Sequence, residues 1–253
     1  MNLKISILVS IISLIYYNKV AGQVYYISSP DAHLNISANF TEETCFNITF
    51  KGQKVVEKIC VDLTLSDGRA FGSSPKVVST KTEKFNQSIE VPVPNKDRVI
   101  NLDFNQLTVL FQKKYNLIIR AYNDGFAYRF IDNKSNSKNV IDEKLELHFN
   151  DKTISYFPWE ESTYSHNERL YNRIGISNLA DKDFCSLPVL FDSNYTKILF
   201  SETSLYDYPG MFLEKTSDNT LVSKFPKYVL EATSAIFDPT KGDQKLEGTE
   251  NDS

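Results

Sequence analysis

Between Tyr115 and Asp132 the chain reads YNLIIRAYNDGFAYRFID. Two alternating runs flank Asn123-Asp124-Gly125, residue types that tolerate the positive φ angles of a tight turn, so the stretch reads as a β-hairpin. In its second run Phe126, Tyr128 and Phe130 share one face, because successive strand side chains point to opposite sides. Arg120 and Arg129 are expected to pair with acids on neighbouring strands.

The same period recurs on both sides of the hairpin. In AHLNISANF, Leu34, Ile36 and Ala38 share a face, and in TCFNITF so do Phe46, Ile48 and Phe50. VVEKICVDLTL ends at an Asp67-Gly68 turn, and QSIEVPVP, RVINLDF and QLTVLFQ follow it. KLELHF, TISYF, LPVLF, TKILFSE and TLVSKF complete the series. Short alternating runs with tight turns and almost no helical periodicity mean antiparallel sheets. At this length the expected fold class is all-β, a large antiparallel two-sheet β-sandwich. Pro158 to Asp183 breaks the alternation and is expected to be a long functional loop or short helical insertion.

The organisation expected along the 253 residues is a leader at 1–22, a sandwich at 23–237 and a disordered polar tail at 238–253. A weakly basic start, an apolar run from Ile5 to Tyr17 and the small residues Val20-Ala21-Gly22 have the layout of a secretory signal peptide. That layout predicts an exported protein, periplasmic or extracellular, with no membrane span once the leader is cleaved. The leader carries Lys4 and Lys19, so 28 basic residues become 26 against 32 acidic ones, a net charge of −6. Such a balance argues against nucleic acid as a partner, which would require a basic face. The Asn-X-Ser/Thr sequons are glycosylation acceptors in a eukaryotic host and chance matches in a bacterial one.

Of the three cysteines, Cys45 and Cys60 flank a hairpin. A two-residue turn at Gly52-Gln53 would set them opposite each other and allow a disulfide in an oxidising compartment. A turn at Lys51-Gly52 would shift the register and separate them. Cys185 reads as an ordinary buried thiol, and no Cys/His spacing suggests zinc.

Catalytic motifs are thin. No G-x-S-x-G, H-E-x-x-H or phosphate-cradling glycine loop occurs, and His33, His148 and His166 are scattered. Trp159-Glu160-Glu161 with Tyr164 and Tyr171 nearby has the aromatic-plus-acid composition of a sugar site. Trp159, Glu160 and Tyr164 are therefore the candidate carbohydrate contacts. Adjacent residues on an extended chain point opposite ways, so the two glutamates are not expected to act as a pair. The remaining candidate is Glu202 in ILFSETSLYDYPGM, which by strand parity continues the row of Ile198 and Phe200.

Taken together, these segments resemble the N-terminal domain of glycoside hydrolase family 97. SSPDAHLNISANF, FNITFKGQKVVEKICVDLTLSDG, IIRAYNDGFAYRF, PWEESTYSHNERLY and LPVLFDSNYTKILFSETSLYDYPGMFL occur in family order from Gln23 to Leu230. The resemblance implies an exported bacterial enzyme acting on α-glucosides or α-galactosides. It also implies a β-super-sandwich ahead of a catalytic (β/α)8 barrel and a small C-terminal β domain. In calcium-dependent members a sandwich glutamate helps hold Ca2+, and carried over that metal ligand is Glu202. Here Glu202-Thr203-Ser204 replaces the family's usual acidic-small-acidic run, so the second acid is missing. KFPKYVLEATSAIFDP leads into TKGDQKLEGTENDS without strand–helix alternation. The barrel is thus expected to be lacking and no catalytic residue is assigned. The chain alone is expected to be inactive and to hold no calcium tightly, because Ca2+ takes six to eight oxygen ligands and glycoside hydrolysis two carboxyls. Expected partners are an α-linked oligosaccharide and a barrel supplied in trans. The alternative is a stand-alone secreted carbohydrate-binding or subunit-docking protein.

Overall fold

The computed structural model describes residues 23–93, 96–134, 138–164, 168–193, 195–227, 229–232 and 248–250. The leader lies outside these residues, and of the 238–253 tail only Gly248–Glu250 is described. Strands are numbered along the chain. One layer is an eight-stranded sheet in the order β1 (Val24–Ser28), β2 (Leu34–Phe40), β3 (Thr44–Phe50), β4 (Gln53–Leu65), β9 (Val140–His148), β16 (Thr220–Lys224), β15 (Phe212–Lys215), β12 (Phe184–Cys185). The opposing layer is split into two four-stranded sheets. One runs β5 (Val77–Glu90), β6 (Val99–Phe111), β7 (Tyr115–Tyr122), β8 (Phe126–Asp132). The other runs β11 (Tyr171–Gly175), β10 (Ile154–Pro158), β13 (Val189–Asp192), β14 (Lys197–Phe200). A separate pair joins β17 (Val229–Ala232) to β18 (Gly248–Glu250). Every paired ladder is antiparallel, as the hairpin-rich sequence predicts.

The core forms where the layers face each other. Ile36, Ala38, Phe46, Ile48, Ile59, Val61, Leu145 and Leu147 fill the inner face of β2, β3, β4 and β9 and are buried. Phe46 meets Phe126 and Tyr128 of β8 at 5.6 and 5.9 Å between ring centroids, so the face read for Phe126, Tyr128 and Phe130 is the inward one. Phe149, just past β9, meets Phe191 of β13 at 4.4 Å and joins the second half-sheet to the same core. Burial of each such side chain contributes roughly 1.5–3 kcal/mol.

Several expectations change. Asn123-Asp124-Gly125 does join β7 to β8, with the Tyr122 N–H donating to the Gly125 carbonyl at 2.8 Å. None of the three residues takes a positive φ, however; the left-handed positions fall elsewhere, at Lys51, Gly52 and Gly68 among others. Arg120 donates to the Gln106 amide oxygen at 2.8 Å and lies over the Phe104 ring, so its partners are not acids. RVINLDF and QLTVLFQ form one continuous strand, β6, because Asn105 between them is paired in the ladders to β5 and β7 and does not turn the chain. Among its described residues, Pro158 to Asp183 holds the edge strand β11 and one 3-10 turn at Ile176–Asn178.

The turn between β3 and β4 is Lys51-Gly52, with φ of 48° and 77°. That register pairs Phe50 with Gln53 and by itself would set Cys45 and Cys60 out of step. Two irregularities, between Phe46 and Ile48 and between Ile48 and Thr49, each let β4 gain one residue. Such bulges put two residues against one. Cys45 is thereby brought opposite Cys60, and the two are disulfide-bonded.

The hairpin end of β4 is closed by a polar knot. Gly68, with φ of 79°, makes the Asp67-Gly68 turn, and its N–H donates to the Leu65 carbonyl at 2.9 Å. Asp62 accepts the Gly72 N–H at 2.6 Å and the Ser73 hydroxyl on its other oxygen. Arg69 forks onto Asp132 of β8 at 2.7 and 2.6 Å and reaches Asp67 at 2.8 Å. These hydrogen bonds hold the Asp132 carboxyl down at about 2, below its ordinary 3.8. A depressed carboxylate stabilises the fold above its unfolded pKa and loses that contribution as pH falls toward the folded one. Urea midpoints at about pH 7 and about pH 2.5 should therefore differ less for Asp132→Asn than for the unchanged chain.

Candidate functional site: the cleft between the half-sheets

Because the second layer is split, its two free edges, β8 and β14, border a cleft of about 1530 Å³. Its floor is the inner face of β3, β4 and β9, including Ile48, Ile59 and Leu147. Ile198, Phe200 and Glu202 are half-buried whereas Lys197, Leu199 and Ser201 are exposed, so the row read by parity turns inward even though β14 ends at Phe200.

Glu202 opens a loop that returns at Met211. Its Oε1 accepts the Met211 N–H at 2.8 Å, tying the loop across its neck. Ser204 and Asp207, with φ of 61° and 53°, reverse the chain in between, and Tyr206 at the tip is 88% exposed. Facing Glu202 is an acid that the sequence reading missed. Glu143 of β9 accepts a short hydrogen bond from the Tyr208 hydroxyl, and Tyr208 rests edge-on against Phe225 at 6.1 Å. In DEKLELH the charges suggest a solvent face. Glu143 nevertheless shares parity with Leu145 and Leu147, and that was the available signal.

The electrostatics follow from this placement. Burial raises the pKa of Glu143, and the Tyr208 hydroxyl offsets part of the rise. Burial also raises Glu202, with the Met211 N–H opposing and the Glu143 charge adding to it. Tyr128 is pushed up by burial and by both carboxylates. The cleft therefore carries two coupled acids that favour a proton or a cation beside them. Among the described residues, no set of three potential metal-ligating side chains includes Glu202. With six to eight oxygens required, these residues fit one ligand of a calcium ion and not a complete site.

Trp159, Glu160 and Tyr164 do not line this cleft. Trp159 is half-buried, packed edge-on to Phe157 at 5.0 Å and bridged to Cys185. Glu160 is buried and ion-paired with Arg169 at 2.9 Å, whereas Glu161 is exposed, as the extended backbone predicts. The Tyr164 hydroxyl donates to the Lys227 carbonyl at 2.7 Å. Cys185 is a fully buried free thiol whose pKa burial raises. His33 pairs with Asp31, and His166 lies outside the described residues.

An all-antiparallel sandwich with a split second layer and an acid–tyrosine cleft is the class of module that this fold and site define. The profile of the glycosyl-hydrolase 97 N-terminal domain matches residues 27–236, so the chain belongs to that family. A retaining alpha-galactosidase of Bacteroides thetaiotaomicron is 26% identical over 219 residues, covering 82% of this chain and 33% of that protein. A family 97 enzyme of a Pseudoalteromonas strain, solved with panose, superposes with a TM-score of 0.68 at 18% identity, over 79% of this chain and 32% of its own. A beta-arabinopyranosidase gives a TM-score of 0.70 at 18% identity, over 83% and 36%. At such identities these structures establish the fold. The chain spans about a third of the length of these relatives. No helix among the described residues is long and apolar enough to cross a membrane.

Proposed function

We propose that the chain is the sandwich module that completes the active site of a family 97 glycosidase acting on α-linked oligosaccharides. Glu202 lends that site one calcium ligand, and the reacting carboxyls come from a catalytic domain. The observation that carries this reading is Glu202 itself, held past the end of β14 by the Met211 N–H at the lip of a large cleft. Export is part of the proposal, supported by the signal-peptide layout of 1–22 and by the Cys45–Cys60 disulfide. A stand-alone binding role is not favoured, since the match is to the N-terminal third of longer enzymes.

The test has two arms. The 253-residue chain is assayed with Ca2+ on aryl α-galactoside and α-glucoside, where no turnover is expected and clear turnover overturns the proposal. The same chain is then joined to a family 97 catalytic domain in place of that enzyme's own sandwich. Glu202→Gln should raise the half-saturating Ca2+ by about 10-fold or more, the loss of one charged ligand being worth more than about 1.4 kcal/mol. An unchanged calcium requirement removes Glu202 from the site. Direct sugar contact at Trp159, Glu160 and Tyr164 is read separately. Trp159 is the sole tryptophan, and its fluorescence should shift on panose addition if that group binds sugar.

A further inference from the structure

The outer face of the eight-stranded sheet carries a second cluster unrelated to the cleft. Cys45, Cys60 and Glu146 stand directly opposite one another across β3, β4 and β9, so their side chains share one face. His148, two residues along β9 from Glu146, joins the same row. Ligand atoms of Cys60, Glu146 and His148 lie within 4.8 Å of one another, and those of Glu43, Cys45 and Cys60 form a second such group that shares only Cys60 with the first. His148 Nδ1 is hydrogen-bonded to the Thr220 hydroxyl at 3.0 Å, whereas its buried Nε2 is turned to Glu146. That Nε2 sits 3.4 Å from Glu146 Oε2. Tetrahedral ligands about 2.0–2.1 Å from a zinc ion are separated by roughly 3.3–3.4 Å. Glu146 Oε1 is meanwhile held by Lys144 at 2.9 Å. The imidazole and the carboxylate thus each have an orienting partner on the atom not engaged in their mutual contact, and such outer partners fix metal ligands.

We propose that reduction of the Cys45–Cys60 disulfide frees Cys60 to join Glu146 and His148 in a Zn2+ site, with Cys45 turning in from β3 as the fourth ligand once the S–S bond no longer holds it. While the disulfide is intact its sulfurs are not thiolates, and two ligands remain. A trialkylphosphine supplies the two electrons: it cleaves the S–S bond and becomes the phosphine oxide with the oxygen of water, leaving two thiols. Zinc binding then releases both thiol protons. Two thiolates, one carboxylate and Lys144 balance the ion's charge, and β3, β4 and β9 hold the ligands in place through their own ladders.

The test uses the whole chain, oxidised or phosphine-reduced, titrated with Co2+ and then with Zn2+. The expected result is a thiolate-to-cobalt charge-transfer band that saturates at one equivalent in the reduced protein only and is bleached by Zn2+. Cys185→Ser keeps the band. Cys60→Ser and His148→Ala each lower the affinity by about 100-fold, and Thr220→Val by about 10-fold, through loss of the outer partner. Circular dichroism recorded on each sample should retain the β signal. The proposal is overturned if the reduced chain shows no band or loses its β signal. It is also overturned if the band persists unchanged in His148→Ala, which would mark binding to loose thiols.

Discussion

Gly72→Ala is expected to lower stability by about 4 kcal/mol or more, enough to drop the melting temperature by roughly 10 °C or to prevent soluble accumulation. A Cβ at this position would lie 2.0 Å from the Val61 carbonyl oxygen and 2.7 Å from the Asp62 Cα, both of them backbone atoms of β4. No rotamer change relieves such a clash, so a strand must move. Two hydrogen bonds oppose that movement: the Gly72 N–H donates to Asp62 at 2.6 Å, and the Gly72 carbonyl accepts the Thr44 N–H at 2.9 Å. Gly72 does not sit in the left-handed region, so space and not conformation demands glycine. Gly125→Ala is the control: a Cβ there meets nothing within 4 Å, and its φ is not positive, so stability should hardly change. Urea midpoints of the two variants measured side by side decide the matter, and equal midpoints would refute the steric account.

The second large effect concerns Tyr115, which is fully buried. Its ring stacks between Phe71 at 4.3 Å and Phe111 at 4.5 Å, nearly parallel to both. Tyr115→Ala should cost about 3–5 kcal/mol through lost transfer energy and the cavity left behind. The hydroxyl behaves differently. It is buried with no hydrogen-bond partner among the described residues, and burial together with the Asp62 charge pushes its pKa up. Leaving a buried polar group unsatisfied is unfavourable, so Tyr115→Phe should stabilise the chain by about 1 kcal/mol while keeping the three-ring stack. Opposite signs from one position distinguish ring packing from hydroxyl bonding. Destabilisation in both variants would mean that the hydroxyl has a partner.

What the sequence made legible was what local chemistry determines. The β7–β8 hairpin could be read because apolar residues alternate on both sides of a polar turn, and Glu202 because it continues the row of Ile198 and Phe200. β5 stayed hidden along most of its length. Thr80, Lys81, Thr82 and Lys84 face water, so Val77–Glu90 has no apolar period to read, and its position comes from pairing with β6. The Cys45–Cys60 register depended on two bulges that no residue type announces. Glu143 was overlooked because a charged residue among charged neighbours suggests solvent, while its parity with Leu145 places it inward. The Arg69–Asp132 fork joins residues 63 apart in sequence and forms only when the two layers meet.

The gap between β8 and β14 bears on mechanics as well as on binding. Along a continuous sheet, strand spacing is fixed by the backbone ladder, which resists stretching. Across this gap no ladder runs, and beside the cleft the two half-sheets rest on the common floor mainly through side-chain packing, with the Arg69–Asp132 fork and the Trp159–Cys185 bridge as ties farther out. Packing contacts are individually weak and adjust by rotamer changes, so the width of the cleft is the softest dimension of the sandwich. The stiffness that holds Tyr128 on one rim apart from Glu202 on the other is therefore set by side chains such as Phe126, Ile198 and Phe200, and repacking them would retune it without breaking a backbone hydrogen bond.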